Sequence, residues 1–144
     1  MSEPFVAVVP PGSAIEDLPL IQYTARHLMG RQIAAHLARH GLKPAHRFEL
    51  DSYAAILAMV AGGEGWTILT PLALHQARAF RSQVEVRPLP FPALERTLSL
   101  SARAGILHGV PGQIAARLKP LIAEVVIAPA LAACPWLAPG LRVL

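Results

Sequence analysis

The fold is decided by one stretch, HRFELDSYAAILAMVAGGEGWTILTP, at residues 46–71. The short run Phe48-Glu49-Leu50 predicts a strand. Asp51 or Ser52 predicts the N-cap of a helix, because a short side-chain oxygen accepts from the free N–H groups of the first turn. The helix, residues 53–61, is apolar on nearly every side and is expected to be buried. Glycines then end it, and residues 66–70 predict a second strand that stops at Pro71.

A strand, a helix and a strand joined by tight connections normally give two parallel strands with a right-handed crossover. Similar patterns extend to both ends of the chain. Strands are predicted at 5–10, 18–22, 48–50, 66–70, 84–89 and 96–103, and helices at 24–40, 53–61, 72–80 and 111–133. Gly41 is expected to end the first helix, and Pro120 to kink the last. This alternating order predicts an α/β fold with a mostly parallel sheet flanked by helices.

The composition is unusually apolar for a chain of this length. Of 144 residues, 53% are hydrophobic and 15% are charged, against about 45–50% and about 25% in an average soluble domain. Part of the surface is therefore expected to lie against a partner or a segment that this sequence does not contain. The net charge of +4 comes from scattered arginines, which is typical of a solvated surface rather than a DNA-contacting face.

Two features bear on the cellular compartment. Cys134 is the single cysteine, and the first residues lack the basic n-region of a secretory signal, so a cytoplasmic protein is predicted. Residues 121–138 approach the length of a membrane span. Glu124, Pro129 and Pro135 argue against a span, because a carboxylate in the bilayer is costly and prolines interrupt the helix. We therefore predict a broken helix buried against protein, and no membrane partner.

Four segments occur in a recognisable order: EPFVAVVPPG (3–12), LPLIQYTARHLMGRQIAAHLARHGL (18–42), FELDSYAAILAMVAGGEGWTILTP (48–71) and VRPLPFPALERTLSLSAR (86–103). Their order and spacing resemble the C-terminal effector-binding region of LysR-type transcriptional regulators. The resemblance implies a fold like the type 2 periplasmic binding proteins, in which two subdomains joined by two crossing strands hold a ligand between them.

The resemblance also implies which parts of such a regulator are present. Residues 1–144 would form a partial effector-binding domain, with the second subdomain at 18–90, crossing strands at 3–10 and 96–103, and a C-terminal helical region at 111–133. Most of the first subdomain would be missing. The implied function is binding of a small metabolite, with anionic metabolites among the candidates, that modulates DNA binding and transcription by a homo-oligomeric full-length protein. DNA would be contacted only through an N-terminal winged helix absent from this chain.

Parallel α/β sheets bind ligands beyond the carboxyl ends of their strands, and the first such end is at Tyr23. Thr24, the amides that follow it and Arg26 are candidates to hold an anion at a helix N-terminus. An ordinary N-cap explains Thr24 equally well. Tyr23 is either a ligand contact or a half-buried aromatic residue.

The second strand end is at Asp51 and Ser52, which match positions that face the effector in the family. One of the two is expected to cap the helix, and capping is compatible with ligand contact. Asp51 would repel an anion, so Ser52 is the better candidate to contact one. The third site is at Trp66 and Thr67, together with Thr70 and Pro71. Trp66 is a candidate wall for an aromatic or amphipathic ligand, although such a residue more often belongs to the core.

No catalytic arrangement stands out in the sequence. His36 and His40 share helical spacing but lack a third metal ligand nearby. No Gly-x-Ser-x-Gly motif or Cys/His arrangement is present. The sequence therefore predicts no enzyme, no metal site and no cofactor.

A solute-binding or enzymatic α/β domain unrelated to transcription is the competing hypothesis. An in-frame winged helix encoded upstream would favour the regulator, and a signal peptide would favour the solute binder. As an isolated piece, the chain is expected to self-associate through its open strands or its terminal helices.

Overall fold

The structure, a computed structural model, describes residues 1–44, 47–103 and 105–144, with only the backbone of Arg47. Ala45, His46 and Ala104 lie outside the described residues. The chain forms two compact units, one made of Phe5–Leu94 and one made of Met1–Pro4 with Glu95–Leu144. The regular elements are, in chain order, β1 (Ser2–Pro4), β2 (Val6–Val9), β3 (Leu20–Tyr23), α1 (Leu28–Arg39), β4 (Arg47–Leu50), α2 (Tyr53–Ala61), β5 (Thr67–Leu69), α3 (Pro71–Gln76), β6 (Glu85–Arg87), β7 (Glu95–Thr97), α4 (Val110–Ile122) and α5 (Ala128–Ala133).

The Phe5–Leu94 unit is built on five strands. β3 pairs with β4 in parallel, and β2 lies between β5 and β6. A parallel bridge between Leu20 and Trp66 joins the two groups, with Ile21 N donating to Trp66 O at 2.8 Å. The strands therefore run in the order β4, β3, β5, β2, β6, and the α/β class is confirmed.

The prediction of a mostly parallel sheet does not match the pairing. Among the described residues, β2 runs antiparallel to both β5 and β6, β1 runs antiparallel to β7, and only β3 with β4 forms a parallel ladder. Hydrophobic pattern identifies a strand but carries no information about its direction. β2 opens the unit and β6 closes it, so neither is joined to its neighbour by a crossover helix, which is the connection that makes strands parallel.

Two predicted strands have different bounds in the structure. The predicted strand at 5–10 is preceded by a separate strand, because residues 2–4 pair with β7 while residues 6–9 pair with β5 and β6. The strand predicted at 96–103 ends at Thr97. Its partner β1 is three residues long, so the alternating residues after Leu98 have no strand to pair with, and that part of the prediction is wrong.

Helix α2 is less buried than predicted. Ile56, Leu57 and Val60 are fully buried, whereas Ala54, Ala55 and Ala58 are exposed. Alanine is apolar but small, so it is compatible with either environment and its presence does not predict burial. The expected helix N-cap is confirmed, since Ser52 Oγ accepts from Ala55 N at 3.3 Å.

The end of α1 follows the prediction at Gly41. Its φ of +65° lies in the left-handed region that glycine enters without steric cost. Leu42 N donates to Leu37 O at 2.9 Å and Gly41 N to Ala38 O at 3.1 Å. These two bonds form a Schellman motif, which satisfies carbonyls left free at the end of the helix.

The Phe5–Leu94 unit begins and ends at one place. Phe5 N donates to Leu94 O at 2.8 Å. The segment that leads to Leu94 is fixed by the buried His36, whose Nε2 donates to Pro92 O at 2.7 Å. The two ends of the unit are therefore tied to each other and to α1.

The second unit contains a buried ion pair and a long helical region. Glu3 is fully buried, and its Oε1 lies 2.6 Å from Arg96 Nη2 across the β1–β7 pair. The helical region runs through α4, a π-helical turn at Ala123–Ile127, and α5. The π turn lies between Pro120 and Pro129, both of which lack the N–H that an α-helix needs.

The predicted burial of residues 121–138 holds only in part. Val126, Ile127, Cys134 and Leu137 are buried, but Leu121, Val125 and Trp136 are exposed. Within the described parts of the chain, no helix combines the length and the apolar character needed to cross a bilayer.

Glu85 should make folding stability depend on pH. Arg87 donates to it from Nε at 2.8 Å and from Nη2 at 2.6 Å, and Gly12 N donates at 3.3 Å. The hydrogen bond from Arg87, followed by that from Gly12, lowers the pKa of Glu85 from 4.5 to about 2. Because the folded-state pKa is the lower one, this stabilisation is complete above pH 4.5 and is lost as the pH falls toward 2.

We expect Glu85→Gln to be less stable than the wild type at neutral pH, with a difference that shrinks as the pH falls through this window. Urea unfolding at about pH 7, 4.5 and 3 measures it. Glu64→Gln, at an exposed carboxylate, is the matched control. A difference for Glu85→Gln that stays constant with pH would contradict the assignment.

Candidate functional site

The candidate site lies at one edge of the sheet in the Phe5–Leu94 unit. β3 and β4 are parallel, with Tyr23 level with Leu50, and Thr24 N donates to Leu50 O at 2.8 Å. Both carboxyl ends therefore meet, and the residues that follow them, Thr24 and Asp51, emerge side by side. Ligands of parallel α/β sheets bind beyond this edge.

Thr24 fixes the turn between β3 and α1. Its Oγ1 donates to Glu49 Oε1 at 2.7 Å and accepts from Arg26 N at 3.3 Å. The N-cap interpretation is wrong, because α1 begins at Leu28 and has His27 at its N-cap position. Thr24 is buried, so its hydroxyl holds neighbouring groups of the edge in place without facing solvent itself.

Tyr23 is buried rather than half-buried, with 8% of its surface exposed. Its ring stacks on Tyr53 at a centroid distance of 4.7 Å, and the His27 ring lies 5.4 Å away. Sequence reasoning did not select Tyr53 and His27. Their positions in the sequence could have identified them, because His27 follows the end of β3 closely and Tyr53 follows the end of β4 closely.

Beside Glu49, which accepts from Thr24, two further charged groups lie at this edge, Arg26 and Asp51. Both residues are exposed. Across the described parts of the chain, neither side chain makes a hydrogen bond or an ion pair. Ser52, also exposed, caps α2. A cationic group and an anionic group are thus held at neighbouring strand ends and are available to a ligand.

The N-terminus of α1 adds positive potential beside Arg26. Its first turn contains no acidic residue, and no side chain in the described parts of the chain caps it, so no negative charge or cap offsets the positive end of the helix dipole there. The approach to this turn is rigid. Arg31 Nη1 donates to Arg26 O at 2.8 Å, and Gly30 packs directly against the carbonyls of Tyr23 and Thr24.

The sequence of residues 1–109 matches the family model described as the LysR substrate binding domain. The chain belongs to the LysR substrate-binding domain family. Its fold is therefore the periplasmic-binding-protein-like α/β fold of that family. No curated protein sequence matches the chain.

Solved structures share the LysR effector-domain fold at low sequence identity. An H2O2-bound OxyR mutant from Corynebacterium glutamicum has 21% identity and a TM-score of 0.70 over 92% of this chain and 46% of its own. The CcmR regulatory domain from Synechocystis, in complex with 2-PG, has 18% identity and a TM-score of 0.60 over 86% and 65%. The effector-binding domain of QuiR, in complex with shikimate, has 15% identity and a TM-score of 0.55 over 66% and 49%. This chain spans less than two thirds of the length of each.

Two residues predicted for the site of this LysR-family domain lie at the opposite edge of the sheet. Trp66 is buried and bridges Leu20 at the amino ends of the strands, which agrees with its interpretation as a core residue. Thr67 is fully buried and donates from Oγ1 to Ile21 O at 2.6 Å. Trp66 and Thr67 therefore lie away from Thr24 and Asp51. They are at the amino end of β5, and only its carboxyl end, after Leu69, lies at the edge where those two residues are found.

Thr70 is the residue that follows β5 at the ligand edge. It is fully buried, and its Oγ1 accepts from Ala73 N at 3.4 Å as the N-cap of α3. Thr70 and Pro71 are the part of the predicted third site that the structure places directly after β5.

A separate cavity of about 390 Å³ lies beside the second half of α1. It is lined by Gln22, by three α1 residues and by residues 41–44. None of the residues predicted for the ligand site lines it. Among the residues that the structure describes, no group of three His, Cys, Asp or Glu is arranged to hold a metal ion.

Proposed function

We propose that this chain is the effector-sensing part of a LysR-type transcriptional regulator. The carboxyl edge of β3 and β4 binds a small metabolite, and binding changes how the full-length protein acts on DNA. The observation that carries the proposal is the pair of unpartnered charged groups, Arg26 and Asp51, that this edge presents. The complexes of CcmR with 2-PG and of QuiR with shikimate support it, since both are regulator domains of the same fold.

The charges at the edge favour a hydroxylated carboxylate as the ligand class. Arg26 and the positive end of the α1 dipole provide a place for an anionic group. Asp51 and the exposed Glu49 accept hydrogen bonds and repel a second anion, so the part of the ligand that faces them would carry hydroxyl groups. Ser52, exposed at the start of α2, directly follows Asp51 in the chain.

The proposal includes the division of the chain that the family resemblance implies. Residues 18–90 form the second subdomain, and residues 3–10 and 96–103 contain the crossing segments. The other half of the ligand cleft would come from the first subdomain of the regulator, and DNA contact from its winged helix in the cytoplasm. A ligand that binds one arrangement of the two subdomains more tightly shifts the population toward it by that difference in affinity.

The proposed role is binding without catalysis. Ser52 Oγ accepts a hydrogen bond from a backbone amide, and Glu49 Oε1 accepts from Thr24. Neither contact activates a nucleophile, which would need a base positioned to remove its proton.

An Arg26→Gln substitution tests the site. The neutral side chain keeps a donor but loses the charge-assisted bond to a carboxylate, which contributes about 1.5–3 kcal/mol. We therefore expect affinity for shikimate, used as a representative hydroxylated carboxylate, to fall by about tenfold to hundredfold. Amide chemical shifts of the ¹⁵N-labelled chain measure binding.

The control is Arg117→Gln, at an exposed arginine of α4, which should leave the titration unchanged. In the wild type, shifts are expected at residues 24–31 and 51–53. Shifts confined to the cavity beside the second half of α1, or equal affinities for both variants, would contradict the proposed site. A panel of hydroxylated and plain carboxylates then tests the ligand class.

A further inference from the structure

Three aromatic rings meet at the ligand edge, and we call Tyr23, Tyr53 and His27 the ring cluster. The centroids of the Tyr53 and Tyr23 rings lie 4.7 Å apart, with an angle of 25° between the ring planes. The centroid of the His27 ring lies 5.4 Å from that of Tyr23. Tyr23 is buried, whereas Tyr53 is half-buried and His27 is exposed. The aromatic surface that the ring cluster offers to a ligand therefore comes from Tyr53 and His27.

The two accessible rings are close in the chain to the charged groups of the proposed site. His27 directly follows Arg26, and Tyr53 follows Asp51 by two residues. Tyr23, which both rings contact, ends β3 level with the end of β4. A ligand that contacts Arg26 and Asp51 together would therefore lie against the ring cluster along part of its length.

The surface beside the ring cluster includes apolar groups. Leu28, the first residue of α1, is 64% exposed, and Ala25 and Ala54 are exposed as well. Burying a hydroxyl group against such a surface without a hydrogen-bond partner is costly. An open polyhydroxy chain would have to place some of its hydroxyl groups there. A ring instead carries its hydroxyl groups on the rim and can present a face of carbon and C–H groups to the aromatic side chains.

We propose that the ring cluster selects effectors in which the carboxylate and the hydroxyl groups are carried by a flat ring. The ring of the effector packs against Tyr53, its carboxylate faces Arg26, and its hydroxyl groups face Asp51. Ligand pockets commonly combine aromatic walls with a few placed polar groups in this way.

This inference rests on the proposed function and narrows its ligand class. An open-chain hydroxy acid can contact Arg26 and Asp51 as well as a cyclic one can, but it leaves the aromatic surface uncovered. Tyr53 is therefore a specificity-determining residue, and it discriminates between cyclic and open-chain acids of the same charge.

Two acids that differ in the ring test the inference. Shikimate and threonate each carry one carboxylate and the same number of hydroxyl groups, but only shikimate has a ring. Amide chemical shifts of the ¹⁵N-labelled 144-residue chain measure both dissociation constants. We expect the constant for shikimate to be about twofold to tenfold lower than that for threonate, which is the contribution expected of a stacked ring. Nuclear Overhauser effects between the ring protons of shikimate and those of Tyr53 should accompany it in the wild type.

Substitutions then identify the source of the preference for shikimate. Tyr53→Leu keeps an apolar side chain but removes the ring, and should lower the ratio of the two dissociation constants to about one. Tyr53→Phe keeps the ring and should keep the ratio. His27→Gln removes the exposed ring and should lower the ratio part of the way. Far-UV circular dichroism establishes that each variant is folded.

Two further variants serve as controls. Phe80→Leu removes another half-buried ring, in the segment that leads into β6, and should leave the ratio unchanged. Arg26→Gln should weaken the binding of both acids by the same factor, because both lose the same charge-assisted contact. The ratio therefore reports on the ring cluster separately from the charged groups.

Three results would count against the inference. If the wild type binds both acids equally at residues 24–31 and 51–53, the ring cluster does not select a ring, and the proposed site still stands. If Tyr53→Leu keeps the wild-type preference for shikimate, Tyr53 is not its source and the inference is wrong. If neither acid shifts those residues, the proposed site and this inference fail together.

Discussion

Replacing Arg96 with methionine is expected to lower the free energy of unfolding of the Met1–Pro4 and Glu95–Leu144 unit by about 3–5 kcal/mol. Arg96 faces Glu3 directly across the β1–β7 pair, with Nε 2.7 Å and Nη2 2.6 Å from the same carboxylate oxygen. The Glu3 side chain is 0% exposed. Without the guanidinium, its charge would stay in an environment that solvates it poorly, which is the main source of the loss.

Urea unfolding followed by far-UV circular dichroism measures this effect. Arg103→Met removes an exposed arginine of the same unit and should change stability by less than about 0.5 kcal/mol. The double variant Glu3→Leu with Arg96→Met should recover much of the loss, because apolar side chains of similar size replace a buried ion pair at little cost. If Arg96→Met is as stable as the wild type, burial of the Glu3 carboxylate does not depend on Arg96.

Gly30→Ala is expected to destabilise the Phe5–Leu94 unit by about 3 kcal/mol, at the upper end of the usual range for overpacking. An added Cβ would lie 2.1 Å from Thr24 O and 2.5 Å from Tyr23 O. Both are backbone atoms that cannot rotate away as a side chain can. Since these carbonyls belong to the edge that we propose as the ligand site, the variant should also bind shikimate more weakly.

The control for this substitution is Gly112→Ala. Gly112 is the third residue of α4, as Gly30 is the third residue of α1, and nothing lies within 4 Å of the Cβ it would gain. In this open position the change should stabilise, by up to about 1 kcal/mol from helix propensity. Thermal unfolding of both variants measures the two changes in stability. Equal changes in stability at the two glycines would mean that α1 is not packed tightly against the carboxyl end of β3.

The residues that could be predicted from sequence are those whose role depends on their immediate neighbours. Ser52 caps α2 through an amide three residues away, and Gly41 ends α1 through bonds to α1 itself. Such local contacts are encoded in short motifs, and the predictions for them are confirmed. The membership of the LysR family also follows from segments whose order is visible in the chain.

The misplaced residues depend on partners that are distant in sequence. The sequence suggests Trp66 as a ligand contact at the carboxyl edge of the sheet. Its parallel bridge to Leu20 instead places Trp66 at the amino edge. A helix cap is one of the two interpretations that the sequence offers for Thr24, yet its hydroxyl donates to Glu49, 25 residues away. The direction of a strand and the partner of a side chain are properties of the assembled sheet, so neither appears in local periodicity.

The hydrogen bond between Phe5 and Leu94 holds the two ends of this unit together, which bears on whether the unit can be moved into another protein. A module whose entrance and exit coincide can be exchanged as a cassette, because a host chain needs to open at only one point to receive it. Grafting residues 5–94 into an unrelated protein between two adjacent loop residues should therefore leave both proteins folded.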